Sequence, residues 1–138
     1  MSRLAIISHG KESGPNGEKI RSLGEIARSR GFNVLAPDYR GIESPEQRVD
    51  HLLNIQLPSY EKLVMVGSSM GGYVSTLAAG SLSANGLFLM APAFYISGYE
   101  NQDPKSSAEK TTIVHGWGDE VILLCQIPFR FDAERIKA

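Results

Sequence analysis

Gly67-Ser68-Ser69-Met70-Gly71 is the stretch of this sequence in which residue types and spacing together point to chemistry. It matches G-x-S-x-G, with an apolar run immediately before it and a segment of helical periodicity after it. A serine at the apex of so tight a strand-to-helix turn has a strained backbone. The positions on either side must lack side chains so that neighbouring backbones can approach, and Gly67 and Gly71 meet that need. The apex also falls at a helix N-terminus, where free N–H groups and the helix dipole favour an oxyanion. The chemistry implied is attack by the Ser69 hydroxyl on a carbonyl carbon.

The elements that must position this serine can be read from apolar runs. Leu4-Ala-Ile-Ile7, Val34-Leu-Ala36, Leu63-Val-Met-Val66, Leu87-Phe-Leu-Met-Ala91 and Thr112-Ile-Val114 have the continuous apolar character of strands buried on both faces. Between them lie helical stripes at Ile20, Leu23, Ile26 and Ala27, at Val49, Leu52 and Leu53, and at Tyr73, Val74, Leu77 and Ala78. Ser44-Pro45-Glu46-Gln47 supplies an N-cap hydroxyl and a first-turn proline for the second helix, and Pro58 is expected to stop it. Asn85-Gly86 turns the chain into the fourth strand. Alternation of this kind predicts a three-layer α/β/α sandwich around a mostly parallel five-stranded sheet, a single domain over 1–138. The connection from Pro92 to Lys110 is long, and Phe94-Tyr95-Ile96 within it is apolar enough to line a pocket or to plug the end of the sheet.

Composition removes other classes of function. Fourteen basic and 15 acidic residues leave a net charge of -1, which gives no electrostatic footprint for nucleic acid or anionic lipid. One cysteine in 138 residues supplies no disulfide framework and fits a reducing, cytoplasmic compartment. No apolar run approaches the length of a membrane span. Neither zinc-type Cys/His spacing nor a calcium-type acidic loop is present, so no metal or other cofactor is expected. The loop Gly10–Gly17 fails the phosphate-loop pattern, since Pro15 stands where the second glycine is required.

Four landmarks in order give the chain a resemblance to the α/β-hydrolase superfamily, and within it to compact single-domain bacterial esterases with a minimal cap. They are Ser8-His9-Gly10-Lys11, Pro37-Asp38-Tyr39-Arg40-Gly41, Gly67-Ser-Ser-Met-Gly-Gly72 and His115-Gly116-Trp117-Gly118-Asp119-Glu120-Val121. The resemblance covers nearly all of residues 4 to 121. It implies that Ser69 is the nucleophile, that Asp119 is the acid orienting a histidine, and that the backbone N–H groups of Lys11 and Met70 form the oxyanion hole. It also gives His9 a supporting role at the oxyanion turn. The implied substrate is a small-molecule carboxylic ester or thioester.

One expected part is not found. The family order is Ser, then Asp, then His, yet the three histidines here, at 9, 51 and 115, all precede Asp119. The resemblance implies a further helix, a further strand and a histidine-bearing loop, so the chain reads as a shortened member lacking the final strand. Without a base, a serine keeps its hydroxyl proton at neutral pH. The expectation is therefore an esterase-type site crippled in turnover. The alternative is a non-catalytic remnant that binds a small acyl compound or a protein partner. Loss of the final strand would leave 111–115 as an open sheet edge, with Phe129 and Phe131 packing back onto it or mediating a homodimer.

Overall fold

The computed structural model describes residues 2–115 and the backbone of 133–137. Five strands fall on the five apolar runs: β1 (Arg3–Ser8), β2 (Asn33–Leu35), β3 (Lys62–Ser68), β4 (Gly86–Met90) and β5 (Lys110–His115). A sixth, β6 (Ala133–Lys137), follows from the tail. The sheet order is β2-β1-β3-β4-β5-β6, and every pairing is parallel. The expectation of five strands with an open fifth edge is corrected here, because β6 pairs along β5 from Thr111↔Ala133 to His115↔Lys137. Backbone ladder bonds suffice for an outermost strand, so Ala-Glu-Arg-Ile-Lys joins the sheet without the apolar run that marks the other five. A homodimer built on a free β5 edge loses its premise, while Phe129 and Phe131 lie outside the described residues.

Among the described residues three helices flank the sheet: α1 (Glu18–Ser29), α2 (Pro45–Leu53) and α3 (Met70–Ala78). On the α2/α3 side, alternate strand residues Leu63, Met65, Leu87, Leu89 and Ile113 are at most 2% exposed and pack with Leu52, Tyr73, Val74 and Phe94. Full burial of each such side chain contributes about 1.5–3 kcal/mol. The α1 side carries a smaller cluster of Ile7, Ile20 and Val66, with Leu23, Val34, Val64, Phe88 and Met90 half-buried against it. Ile26, placed by periodicity on the inner stripe of α1, is 58% exposed and borders a shallow apolar groove with Leu23, Val64 and Phe88.

Local signals set the helix ends. Ser44 Oγ accepts from the Gln47 amide at 3.2 Å, and Pro45 occupies the first turn of α2. The helix ends at Leu53, short of Pro58, with the Asn54 side chain donating to Asp50 O at 2.8 Å. Its inner face also differs from the expected stripe: Pro45, Arg48 and Leu52 are buried, whereas Leu53 is 39% exposed. Asn85 ties β3 to β4, its side chain accepting from the Leu63 amide at 3.0 Å. Among the described residues no helix is long and apolar enough to cross a membrane.

Candidate active site

Parallel register brings the C-terminal ends of β1, β3, β4 and β5 to one rim, with Ser8 opposite Gly67 and Ser68 opposite Met90. Open α/β sheets bind ligands outside these ends. Ser69 stands just past β3 as the N-cap of α3, with φ 53° and ψ -117°. A non-glycine residue held there stores strain of order 1–3 kcal/mol. The surroundings fix it: the Ser69 amide donates to Met90 O at 3.0 Å, and Ser69 O accepts from Gly72 at 2.9 Å and Ala93 at 2.9 Å.

The two glycines of the motif are required by approach rather than by φ. A methyl at Gly67 would strike the backbone of Gly71 and Gly72, and one at Gly71 would strike the carbonyls of Ser8 and His9. The turn is thus pressed against the end of β1. Gly10 passes alongside, close enough that a Cβ on it would lie 3.5 Å from Ser69 Cβ.

Ser69 opens on a cleft of about 670 Å³. Lys11, Glu12, Lys19, Glu43 and Ser68 give it a polar rim, while Met70, Ala91, Ala93, Ile96 and Tyr99 give it an apolar wall. The structure therefore brings Ser69, Lys11 and Met70 together on one surface. Met70 is the first residue of α3, where an amide has no acceptor within its own helix. Lys19 Nζ reaches Ser68 Oγ at 3.4 Å, so a cation stands one residue from the turn's apex.

His9 is fully buried and committed through both ring nitrogens. Nε2 accepts from the Tyr39 amide at 2.9 Å, which leaves the proton on Nδ1, and Nδ1 donates to Gly10 O at 2.7 Å. Burial, with the nearby Arg48 charge, lowers its pKa despite the Gly10 bond. A neutral ring with no spare lone pair braces the turn and is not a base for Ser69. His51 sits on α2 with its ring edge-on to Tyr39, centroids 5.7 Å apart. His115 ends β5, 1% exposed. Asp119 lies outside the described residues.

The 91–109 connection covers the apolar end of the cleft. Of the apolar trio expected there, Ile96 lines the cleft and Phe94 is buried in the core. Tyr99 packs edge-on against Tyr73, centroids 4.8 Å apart. Glu46 Oε1 accepts from the Glu100 amide at 2.8 Å and from the Tyr73 hydroxyl at 2.9 Å, and Tyr73 accepts from the Asn101 amide at 3.0 Å. Sequence reasoning missed this clamp because its members are scattered over three elements. It also missed Arg48, whose one signal was its place between Pro45 and Leu52 on the inner face of α2.

No protein-family model matches the sequence. Solved structures do match the fold. A protein of Xanthomonas campestris pv. campestris, assigned to the hydrolases of the alpha/beta superfamily, superposes with a TM-score of 0.82. That match spans all of this chain and 87% of the other at 24% identity. The chain has the α/β-hydrolase fold. Est1E of Butyrivibrio proteoclasticus, with ferulic acid bound, shares this α/β-hydrolase fold at a TM-score of 0.77, 16% identity and 99% and 79% coverage. Mouse alpha/beta hydrolase domain-containing protein 10 does so at 0.78, 20% identity and 96% and 79% coverage. Within this α/β-hydrolase fold the strained serine, the Gly10–Lys11 turn and the cleft all occupy the C-terminal rim of the sheet.

Proposed function

We propose that this chain is a serine hydrolase of carboxylesterase or thioesterase type. Ser69 Oγ attacks the carbonyl carbon of a small ester, the alcohol or thiol leaves, and water releases the acid from the acyl-serine. The Met70 and Lys11 amides hold the oxyanion, and Asp119 is the acid of the set. One observation carries the reading: Ser69 is held at positive φ on the wall of a cleft that Lys11 and Met70 also line. The fold shared with Est1E, which binds ferulic acid, supports it. The apolar wall of Met70, Ala93, Ile96 and Tyr99 suits the acyl portion of such a substrate.

The state of the histidines favours a second reading, a cleft that binds an acyl compound without turning it over. His9 has both nitrogens engaged, and His51 faces Tyr39. A fluorophosphonate probe separates the two. Slow phosphonylation of the wild-type protein, absent in Ser69→Ala, supports the hydrolase. No phosphonylation, together with retained binding of a short-chain carboxylic acid, establishes the second reading.

A further inference from the structure

We infer that Arg48 is a positioning residue for the oxyanion turn, holding the Gly10–Lys11 peptide so that the Lys11 amide is turned to the Ser69 side. The inference rests on the hydrolase reading of the cleft.

Arg48 is 2% exposed, and its guanidinium meets backbone carbonyls instead of a carboxylate. Nε donates to Ile42 O at 2.6 Å, Nη1 to Gly10 O at 3.2 Å, and Nη2 makes a longer contact with Lys11 O at 3.5 Å. Its central carbon lies 5.5 Å from the Tyr39 ring centroid. Among the described residues the only ion pair is Arg40–Asp38, elsewhere on the surface. A buried cation balanced by carbonyl dipoles and one aromatic face, with no carboxylate, is a poor device for stability, because an apolar side chain of similar volume would avoid the desolvation cost. Its presence calls for another purpose, and its targets indicate which.

Gly10 O and Lys11 N–H belong to one planar trans peptide, so they point in opposite directions. Two donors, His9 Nδ1 at 2.7 Å and Arg48 Nη1 at 3.2 Å, grip the oxygen from the buried side, and the Ser13 hydroxyl adds a longer contact at 3.5 Å. The N–H is thereby directed away from the core, on the residue that lines the cleft beside Ser69. The same two bonds, one of them charge-assisted, polarise the peptide and strengthen its N–H as a donor. His9 fixes the plane, and Arg48 adds a full positive charge behind it.

The experiment uses the full chain as wild type, Arg48→Met and Arg48→Lys, with two readouts. The first is the rate of Ser69 phosphonylation or of p-nitrophenyl ester turnover, split into kcat and KM. Arg48→Met is expected to lose about 10- to 100-fold in kcat, a part of what deleting an oxyanion donor costs. KM should change by less than about twofold, because a ground-state carbonyl barely uses the hole. Arg48→Lys, able to reach Gly10 O with its charge intact, should recover part of the loss. The second readout is independent of activity: the Lys11 amide resonance, expected to move upfield in Arg48→Met and less in Arg48→Lys. If wild type proves unreactive, the hydrolase reading fails and the resonance alone decides the positioning role. If Arg48→Met does not fold, Arg48→Lys carries both readouts, each expected to shift in the same direction but by less. Unchanged kcat and an unchanged Lys11 resonance in whichever variants fold overturn the inference.

Discussion

Gly71 packs against the carbonyl of Ser8 so closely that no side chain can enter between them. This single approach seats the serine turn on the end of β1. Gly71→Ala must push α3 and β1 apart, and overpacking of this kind costs about 3 kcal/mol. Gly67→Ala, aimed at the Gly71 backbone, should cost a similar amount. Gly10→Ala is the control, since its Cβ would find ordinary contacts at 3.5 Å and cost no more than about 0.5 kcal/mol. Urea denaturation of the three variants checks the ranking.

Histidine 9 ties stability to pH. Burial lowers its pKa in the folded protein, whereas the unfolded chain titrates near the ordinary value of 6.5. The unfolded state therefore binds the proton more readily. The contribution of the neutral ring is complete above about pH 6.5 and is lost as pH falls below that toward the lower folded value. Protonation also removes the acceptor that Nε2 offers to the Tyr39 amide. Thermal unfolding between pH 7.5 and 5 should show Tm falling in wild type and falling less in His9→Gln. Equal slopes in the two proteins would count against the assignment.

Glu46 places a second titration on the loop over the cleft. Burial pushes its carboxyl up, but the bonds from the Glu100 amide and the Tyr73 hydroxyl prevail and hold it below the usual carboxylate value. The clamp is thus intact above the unfolded carboxylate range and weakens as pH falls through the lower folded value. Amide hydrogen exchange at Glu100 and Asn101, corrected for intrinsic rates, should accelerate on acidification in wild type. In Glu46→Gln it should be faster at neutral pH and lack that extra acid acceleration.

The geometry of the serine turn in the candidate site was legible because its demands fall on residue type. Only glycine satisfies the approaches at 67 and 71, and a serine between them marks the apex. The strands declared themselves by continuous apolar runs, and the start of α2 by Ser44 and Pro45. The parts that escaped have no local signature. Arg48 in a helix reads as a solvated cation, and only tertiary packing turns it onto the carbonyls of Ile42 and of Gly10, the latter 38 residues away. Ala133–Lys137 is charged and short, since a strand paired along its backbone at the sheet margin needs no apolar face. Ile26 failed in the opposite sense: periodicity put it on an inner stripe, yet it is 58% exposed at the border of an apolar groove.

Turnover should be modest if Ser69 acts without a histidine base. Loss of that base in a serine hydrolase costs about a million-fold, leaving about 10³–10⁴ over water from the oxyanion hole and binding. Purified protein should hydrolyse p-nitrophenyl acetate at that residual level. Rapid turnover that vanishes in Ser69→Ala would mean that one of His51 or His115, or another base, reaches the hydroxyl.

The strain at Ser69 yields a last prediction that separates the fold from the chemistry. With φ at 53°, the residue occupies backbone space that glycine enters freely and serine does not. Ser69→Ala removes the hydroxyl but keeps the Cβ, so it should leave stability close to wild type. Ser69→Gly removes both, and the released strain outweighs the added flexibility of the unfolded chain. A gain of about 1 kcal/mol is expected, read as a higher midpoint in urea at unchanged slope. Both variants should be inert to the fluorophosphonate. If glycine instead matched or fell below alanine in stability, the strained conformation would not be the property that the turn maintains at the expense of the fold.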